Sequence, residues 1–115
     1  MKQLNNHINY IEFKAKDLPA IKEFYSKAFE WKFTDYGPDY TSFENSGLSG
    51  GFEQSDDAIV NGALIVLFHN DLEKIKSDIV TAKGKISKDI FSFPGGRTFH
   101  FTDPAGNELA VWSDK

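Results

Sequence analysis

Cysteine is absent from this 115-residue chain, so metal binding and proton transfer fall to three histidines, His7, His69 and His100, and to carboxylates. Among the acids, Glu12, Glu53, Asp103 and Glu108 stand in or beside strand-like segments. Imidazole and carboxylate together can hold a divalent ion or move a proton. No Ser-His-Asp order is visible, and without cysteine there is no thiolate nucleophile. Gly47-Leu48-Ser49-Gly50-Gly51 lacks the lysine and following helix of a phosphate loop. It reads as a turn and a strand whose missing side chains admit either another part of the chain or a ligand. Pro94-Gly95-Gly96-Arg97 reads as a loop, with Arg97 either in a surface ion pair or at a rim holding an anionic group. Eleven phenylalanines, four tyrosines and two tryptophans supply either a core of large side chains or an aromatic-lined cavity.

Composition narrows the partners. A net charge of -4, with lysines scattered rather than clustered, gives no basic stripe for nucleic acid. The longest aliphatic and aromatic run, Ala63 to Phe68, is six residues and cannot span a membrane. Met1-Lys2-Gln3-Leu4-Asn5-Asn6 is polar and has no apolar signal region, so a cytoplasmic location is the expectation.

The elements that must position these groups come in two similar sets. Ile8 to Phe13 alternates as a strand, and Asp17 caps a helix over Leu18–Phe29 with Leu18, Ile21, Phe24, Tyr25 and Ala28 inward. Ala63 to Phe68 is again a strand, and Asp71 caps a helix over Leu72–Lys83 with Leu72, Ile75, Ile79 and Ala82 inward and Gly84 ending it. Asp17-Leu18-Pro19-Ala20-Ile21-Lys22 and Asp71-Leu72-Glu73-Lys74-Ile75-Lys76 match at four of six positions, 54 residues apart. Three strands should follow each helix. In the first set they are Lys32 to Asp35, Tyr40 to Glu44 and Leu48 to Phe52. In the second they are Lys85 to Ser87, Arg97 to Thr102 and Glu108 to Trp112. The last two are joined by a tight Asp103-Pro104-Ala105-Gly106-Asn107 turn.

The pattern predicts one α+β domain over 1–115, made of two βαβββ modules at about 5–55 and 60–115 with a linker from Asp56 to Gly62. A module of that size cannot bury both faces of its sheet alone. The expectation is a curved mixed sheet around a concave cleft, with the helices on the outer face.

Three segments, in order on this duplicated plan, carry a resemblance. They are the strand before Lys16-Asp17-Leu18, then Glu23-Phe24-Tyr25-Ser26-Lys27-Ala28-Phe29-Glu30-Trp31, and Thr102-Asp103-Pro104-Ala105-Gly106-Asn107-Glu108-Leu109. Over nearly its whole length the chain resembles the vicinal oxygen chelate superfamily, which includes glyoxalase I, the bleomycin- and fosfomycin-resistance proteins and the extradiol dioxygenases. The resemblance implies a cleft in which metal-dependent members hold one divalent ion. One His sits seven residues before each helix-capping Asp, and one Glu six residues after the Pro of the final turn. Those positions here are Tyr10, Leu64 and Ala110. Leucine and alanine cannot coordinate and a phenol is a poor divalent-metal ligand, so neither the family metal nor another cofactor is expected.

Alternation from Tyr10 puts Glu12 and Lys14 on the concave face, and alternation from Ala110 adds Glu108 and Trp112. His100 falls three residues before Asp103, where the resemblance to fosfomycin-resistance relatives implies a substrate contact. Glu12, His100 and Glu108 are therefore the candidates for a displaced metal site or for catalysis, with Glu12 pairing with Lys14 or Arg97 as the plainer role. His7 and His69 are expected at the surface. The cleft walls are expected to draw on Tyr10, Phe52, Phe68, Phe99 or Phe101, His100 and Trp112, so the ligand contacts are Tyr10, Glu12, Phe52, Phe68, Arg97, His100 and Trp112. The function implied is binding of an aromatic or amphipathic small molecule without metal. The alternatives are a metal-dependent lyase or isomerase of the glyoxalase type using substitute ligands, and a vestigial cleft on a fold that serves protein association. A homodimer is implied by the resemblance and by exposed strand edges.

Overall fold

The computed structural model describes residues 3–58, 62–104 and 106–115. Met1 and Lys2 of the polar opening, 59–61 of the linker and Ala105 of the final turn lie outside them. The elements run β1 (Ile8–Ala15), α1 (Leu18–Phe29), β2 (Lys32–Asp35), β3 (Tyr40–Glu44), β4 (Gly50–Gln54), β5 (Ala63–Phe68), α2 (Leu72–Thr81), β6 (Lys85–Phe93), β7 (Gly96–Thr102) and β8 (Glu108–Ser113). Among the described residues, two helices and eight strands of mixed, open sheet make this an α+β fold. Backbone contacts gather the chain into two compact units, Tyr10–Leu64 and Ile65–Lys115, the latter joined by the residues up to Asn9.

In the Tyr10–Leu64 unit the strands are hydrogen-bonded in the order β2-β3-β4-β1. β1 and β4 are parallel, with Glu12 opposite Gly51 and Phe13 opposite Phe52, and β4 runs antiparallel to β3. Asp17 caps α1 by accepting the Ala20 amide at 3.1 Å. One sheet face packs against α1 through Ala15, Leu18, Phe43 and Phe52, with Phe13, Ile21, Tyr25, Trp31 and Phe33 around them. Phe24, expected inward, is instead 56% exposed, because the helix turns Tyr25 onto Trp31 and Phe52.

In the other unit the order is β5-β8-β7-β6, with β5 and β8 parallel. Asp71 caps α2 by accepting the Lys74 amide at 3.1 Å. Leu72, Phe99 and Val111 form its core, with Ile75, Ile79, Ile86, Ile90 and Phe101 packed on them. The N-terminal residues belong here because the Asn6 and Phe68 amides donate to the carbonyls of Phe68 and His7.

Several expectations are corrected at element ends. β4 begins at Gly50, not Leu48, and β6 runs to Phe93, so Pro94 and Gly95 are a hairpin turn rather than part of a loop. α2 stops at Thr81, which leaves Ala82 outside the helix. The residue expected to end α2 was Gly84, but it is Lys83, at φ 77°, that takes the left-handed conformation there. Gly84 serves close packing instead, since a Cβ there would lie 2.6 Å from Cγ2 of Ile79. The final turn is held by its own acid. The Asp103 amide donates to the Asn107 carbonyl, and Asp103 Oδ1 accepts the Asn107 amide at 2.9 Å.

Candidate functional site

Alternation along β1 sends Phe13 toward α1 and leaves Tyr10, Glu12 and Lys14 on the opposite sheet face. The register adds Tyr40 and Glu53 to that face, because Tyr40 lies opposite Glu53, and Glu53 opposite Lys14. The result is a chain of three polar side chains. The hydroxyls of Tyr10 and Tyr40 are 2.5 Å apart, and Tyr40 donates to Glu12 Oε1 at 3.1 Å.

Gly51 makes room for this arrangement. A Cβ at that position would lie 2.5 Å from the Tyr40 hydroxyl oxygen and 2.8 Å from that of Tyr10. Gly50 does the same for the other face, where a Cβ would enter the Phe43 ring and the Ile11 carbonyl. The space freed by the Gly-Gly pair is thus filled by the protein's own rings.

Burial pushes the Tyr10, Glu12 and Tyr40 acidities to higher pKa. For Glu12 the like charge of Glu53 adds to burial, against the opposing hydrogen bond from Tyr40 and the charge of Lys14. Lys14 makes its ion pair with Asp57 at 3.3 Å, not with Glu12. Arg97 is equally committed elsewhere.

In the other unit His100 lies opposite Ala110, with Trp112 opposite both Thr98 and Phe68. Nδ1 of His100 is 3.8 Å from Glu108 Oε2, which also accepts the Ser87 hydroxyl at 2.8 Å. The His100 ring lies 5.9 Å from Phe91, and Phe68 meets Trp112 edge to face at 5.1 Å. The Trp112 indole N–H donates to Asn9. Ala110 itself is 1% exposed. Such a face offers aromatic walls and an imidazole whose orientation an adjoining carboxylate biases.

Several expected contacts are placed differently. Phe52, 3% exposed, is in the α1 core because it alternates with Gly51 and so takes the helix side of β4. Phe99 and Phe101 take the α2 side of β7 for the same reason. Arg97 grips both carboxylate oxygens of Glu73, at 2.8 and 3.3 Å, and donates to the Lys115 carbonyl. It is a surface ion pair. His69 is buried rather than exposed, and its Nδ1 accepts the Asp71 amide at the start of α2. His7 is at the surface.

Of the proposed displaced set, the fold brings His100 to Glu108 and places Glu12 with the two phenols. Among the described residues no three His, Asp or Glu side chains gather as a metal-holding group. Where the resemblance implies metal ligands, the chain has Tyr10, Leu64 and Ala110. The Tyr10 hydroxyl is hydrogen-bonded to Tyr40, Leu64 has no donor atom, and Ala110 is a buried methyl.

Tyr40 was not foreseen. The signal for it was the Tyr40-Thr41-Ser42-Phe43 alternation together with a Gly-Gly pair on a neighbouring strand, but the register that joins them is not written in either segment.

The model of the Glyoxalase/Bleomycin resistance protein/Dioxygenase superfamily matches residues 7–111, and the chain belongs to that superfamily. Curated proteins give no match. Among solved structures, it is similar to one described as an NAD-dependent benzaldehyde dehydrogenase from Legionella pneumophila, at 19% identity and a TM-score of 0.74, covering 93% of this chain and 99% of that one. A Mn(II)-bound glyoxalase from Novosphingobium aromaticivorans is similar at 20% identity and a TM-score of 0.67, covering 96% of this chain and 39% of that one. A methylmalonyl-CoA epimerase from Mycobacterium tuberculosis is similar at 9% identity and a TM-score of 0.72, covering 98% and 91%. Likeness at these identities establishes the fold.

Proposed function

We propose that this chain is a small-molecule-binding member of its superfamily that works without the family's metal and takes an aromatic or amphipathic ligand. The supporting observation is the content of the three metal positions, Tyr10, Leu64 and Ala110, and of their surroundings. Where a carboxylate ligand would stand, the buried Ala110 methyl is flanked by His100, and the same face carries Phe68 and Trp112. Such a surface suits a flat apolar group. Homodimerisation belongs to the same proposal.

A ligand that binds only the native state raises the melting temperature by mass action. Thermal unfolding with Mn(II), Ni(II), Zn(II) or a chelator is therefore expected to leave the midpoint unchanged, whereas planar aromatic probes raise it and shift the Trp112 indole N–H resonance. A metal-dependent rise, abolished in Glu12→Gln or His100→Ala, overturns the reading in favour of a metal-dependent lyase or isomerase.

A further inference from the structure

We infer that the Tyr10–Tyr40–Glu12 chain is the anchoring point for a protonated amine, so that the molecule this protein takes carries an ammonium group. The inference rests on the reading of the chain as a small-molecule binder and adds the charge of the ligand.

It follows from counting protons. A phenol has one hydrogen to donate and lone pairs with which to accept. The Tyr40 hydrogen goes to Glu12 Oε1 at 3.1 Å. The 2.5 Å contact between the two hydroxyls must then be made by the Tyr10 hydrogen, with the Tyr40 oxygen accepting. Both phenol protons point inward along the chain, toward the carboxylate. What remains for a newcomer is the Tyr10 oxygen and Glu12 Oε2, which are acceptors. The group offers no donor, so a carbonyl or an anion meets only lone pairs there.

Charge sharpens the choice. Glu53 shares the sheet face with Glu12 and its charge outweighs that of Lys14, which is paired with Asp57. Burial and Glu53 hold the Glu12 carboxyl above its usual range, so its ionised form is held at a cost that an incoming cation relieves. The occupant is organic rather than a divalent ion. One carboxylate and two hydroxyls already engaged with each other do not make a divalent site, and no metal-holding group of three exists among the described residues. An ammonium needs less. It has three hydrogens to give, and its neighbouring carbons rest against the phenol rings.

Matched probes on the full chain test this: 2-phenylethylammonium, 2-phenylethanol and 3-phenylpropionate, titrated near pH 7 and followed by NMR shifts of the backbone amides. In the wild type the ammonium is expected to bind about tenfold more tightly than the alcohol, with the carboxylate weakest. Glu12→Gln is expected to remove the ammonium preference while leaving alcohol binding in place. Tyr40→Phe releases the Tyr10 hydrogen to point outward and is expected to narrow the gap between ammonium and carboxylate. Equal binding of ammonium and alcohol, or a preference that survives Glu12→Gln, overturns the amine assignment and leaves the small-molecule reading standing. Binding of none of the three overturns both.

Discussion

Glu12 is a residue whose cost and use can be separated. A carboxyl with a higher pKa in the folded than in the unfolded chain holds its proton more tightly when folded. Its contribution to stability is full below the ordinary carboxylate pKa and is lost as the pH rises through the raised folded value. Burial sets it first, then the charge of Glu53, opposed by the Tyr40 hydrogen bond and the charge of Lys14. Glu12→Gln keeps an acceptor for Tyr40 and removes the charge. The variant is therefore expected to melt about 3 °C above the wild type near pH 7 and to converge with it by about pH 4. A melting series across pH checks this, and a less stable variant at neutral pH contradicts it. The face bearing Tyr10 and Glu12 was legible from alternation along one strand. Tyr40 and the burial of Phe52 were not, because each depends on which residue of another strand lies opposite, and a shift of one residue exchanges the two faces of a strand.

At the scale of elements, both helices were legible from their capping aspartates and apolar spacing, and α1 falls at about the expected bounds. Their endings were less so. Glu30 and Lys83 take positive φ where glycine is the usual occupant, at 62° and 77°. Side chains with a Cβ accept that conformation at a cost which sequence pattern does not reveal. Lys83 is exposed, follows α2 and has no ion pair among the described residues, so nothing is lost with its side chain. Lys83→Gly is expected to raise stability by about 0.5–1 kcal/mol, measured by urea unfolding, with the unfolded chain's greater freedom offsetting part of the relieved strain. No gain, or a loss, would show that the Lys83 conformation is unstrained. β6 was under-read for a different reason. Its register slips between Ile86 and Lys88 and again between Lys88 and Phe91, and such irregularities erase the alternation by which a strand is recognised.

For the whole molecule, the duplicated plan was legible because two short capping segments repeat, and the fold class followed from element order. Association has to be argued again from the structure. β2 and β6 each pair with a single strand, but both edges are guarded, β2 by Lys32 and β6 by Lys85, Lys88 and its register slips. Edge-to-edge pairing is therefore disfavoured. Among the described residues, one apolar surface left open is on α1, where Phe24 and Phe29 are 56% and 59% exposed. Ala20, Glu23, Phe24, Lys27 and Ala28 share that open helix face. Glu23 and Lys27 stand one turn apart and oppositely charged on that helix. A second copy of α1 laid antiparallel across a two-fold axis brings each Glu23 toward the partner's Lys27 while the Phe24 rings meet the small alanines. In the proposed homodimer the occupant of this surface is another molecule of the same chain. Sedimentation velocity at about 100 μM, a concentration suited to the weak pairing expected of a small contact, should give twice the 13.0 kDa of one chain. Phe24→Glu should return the single-chain mass with little change in the melting temperature at low concentration, since Phe24 is more than half exposed and lies outside the α1 core cluster. A wild type that sediments as one chain, or a dimer indifferent to Phe24→Glu, rules out this face.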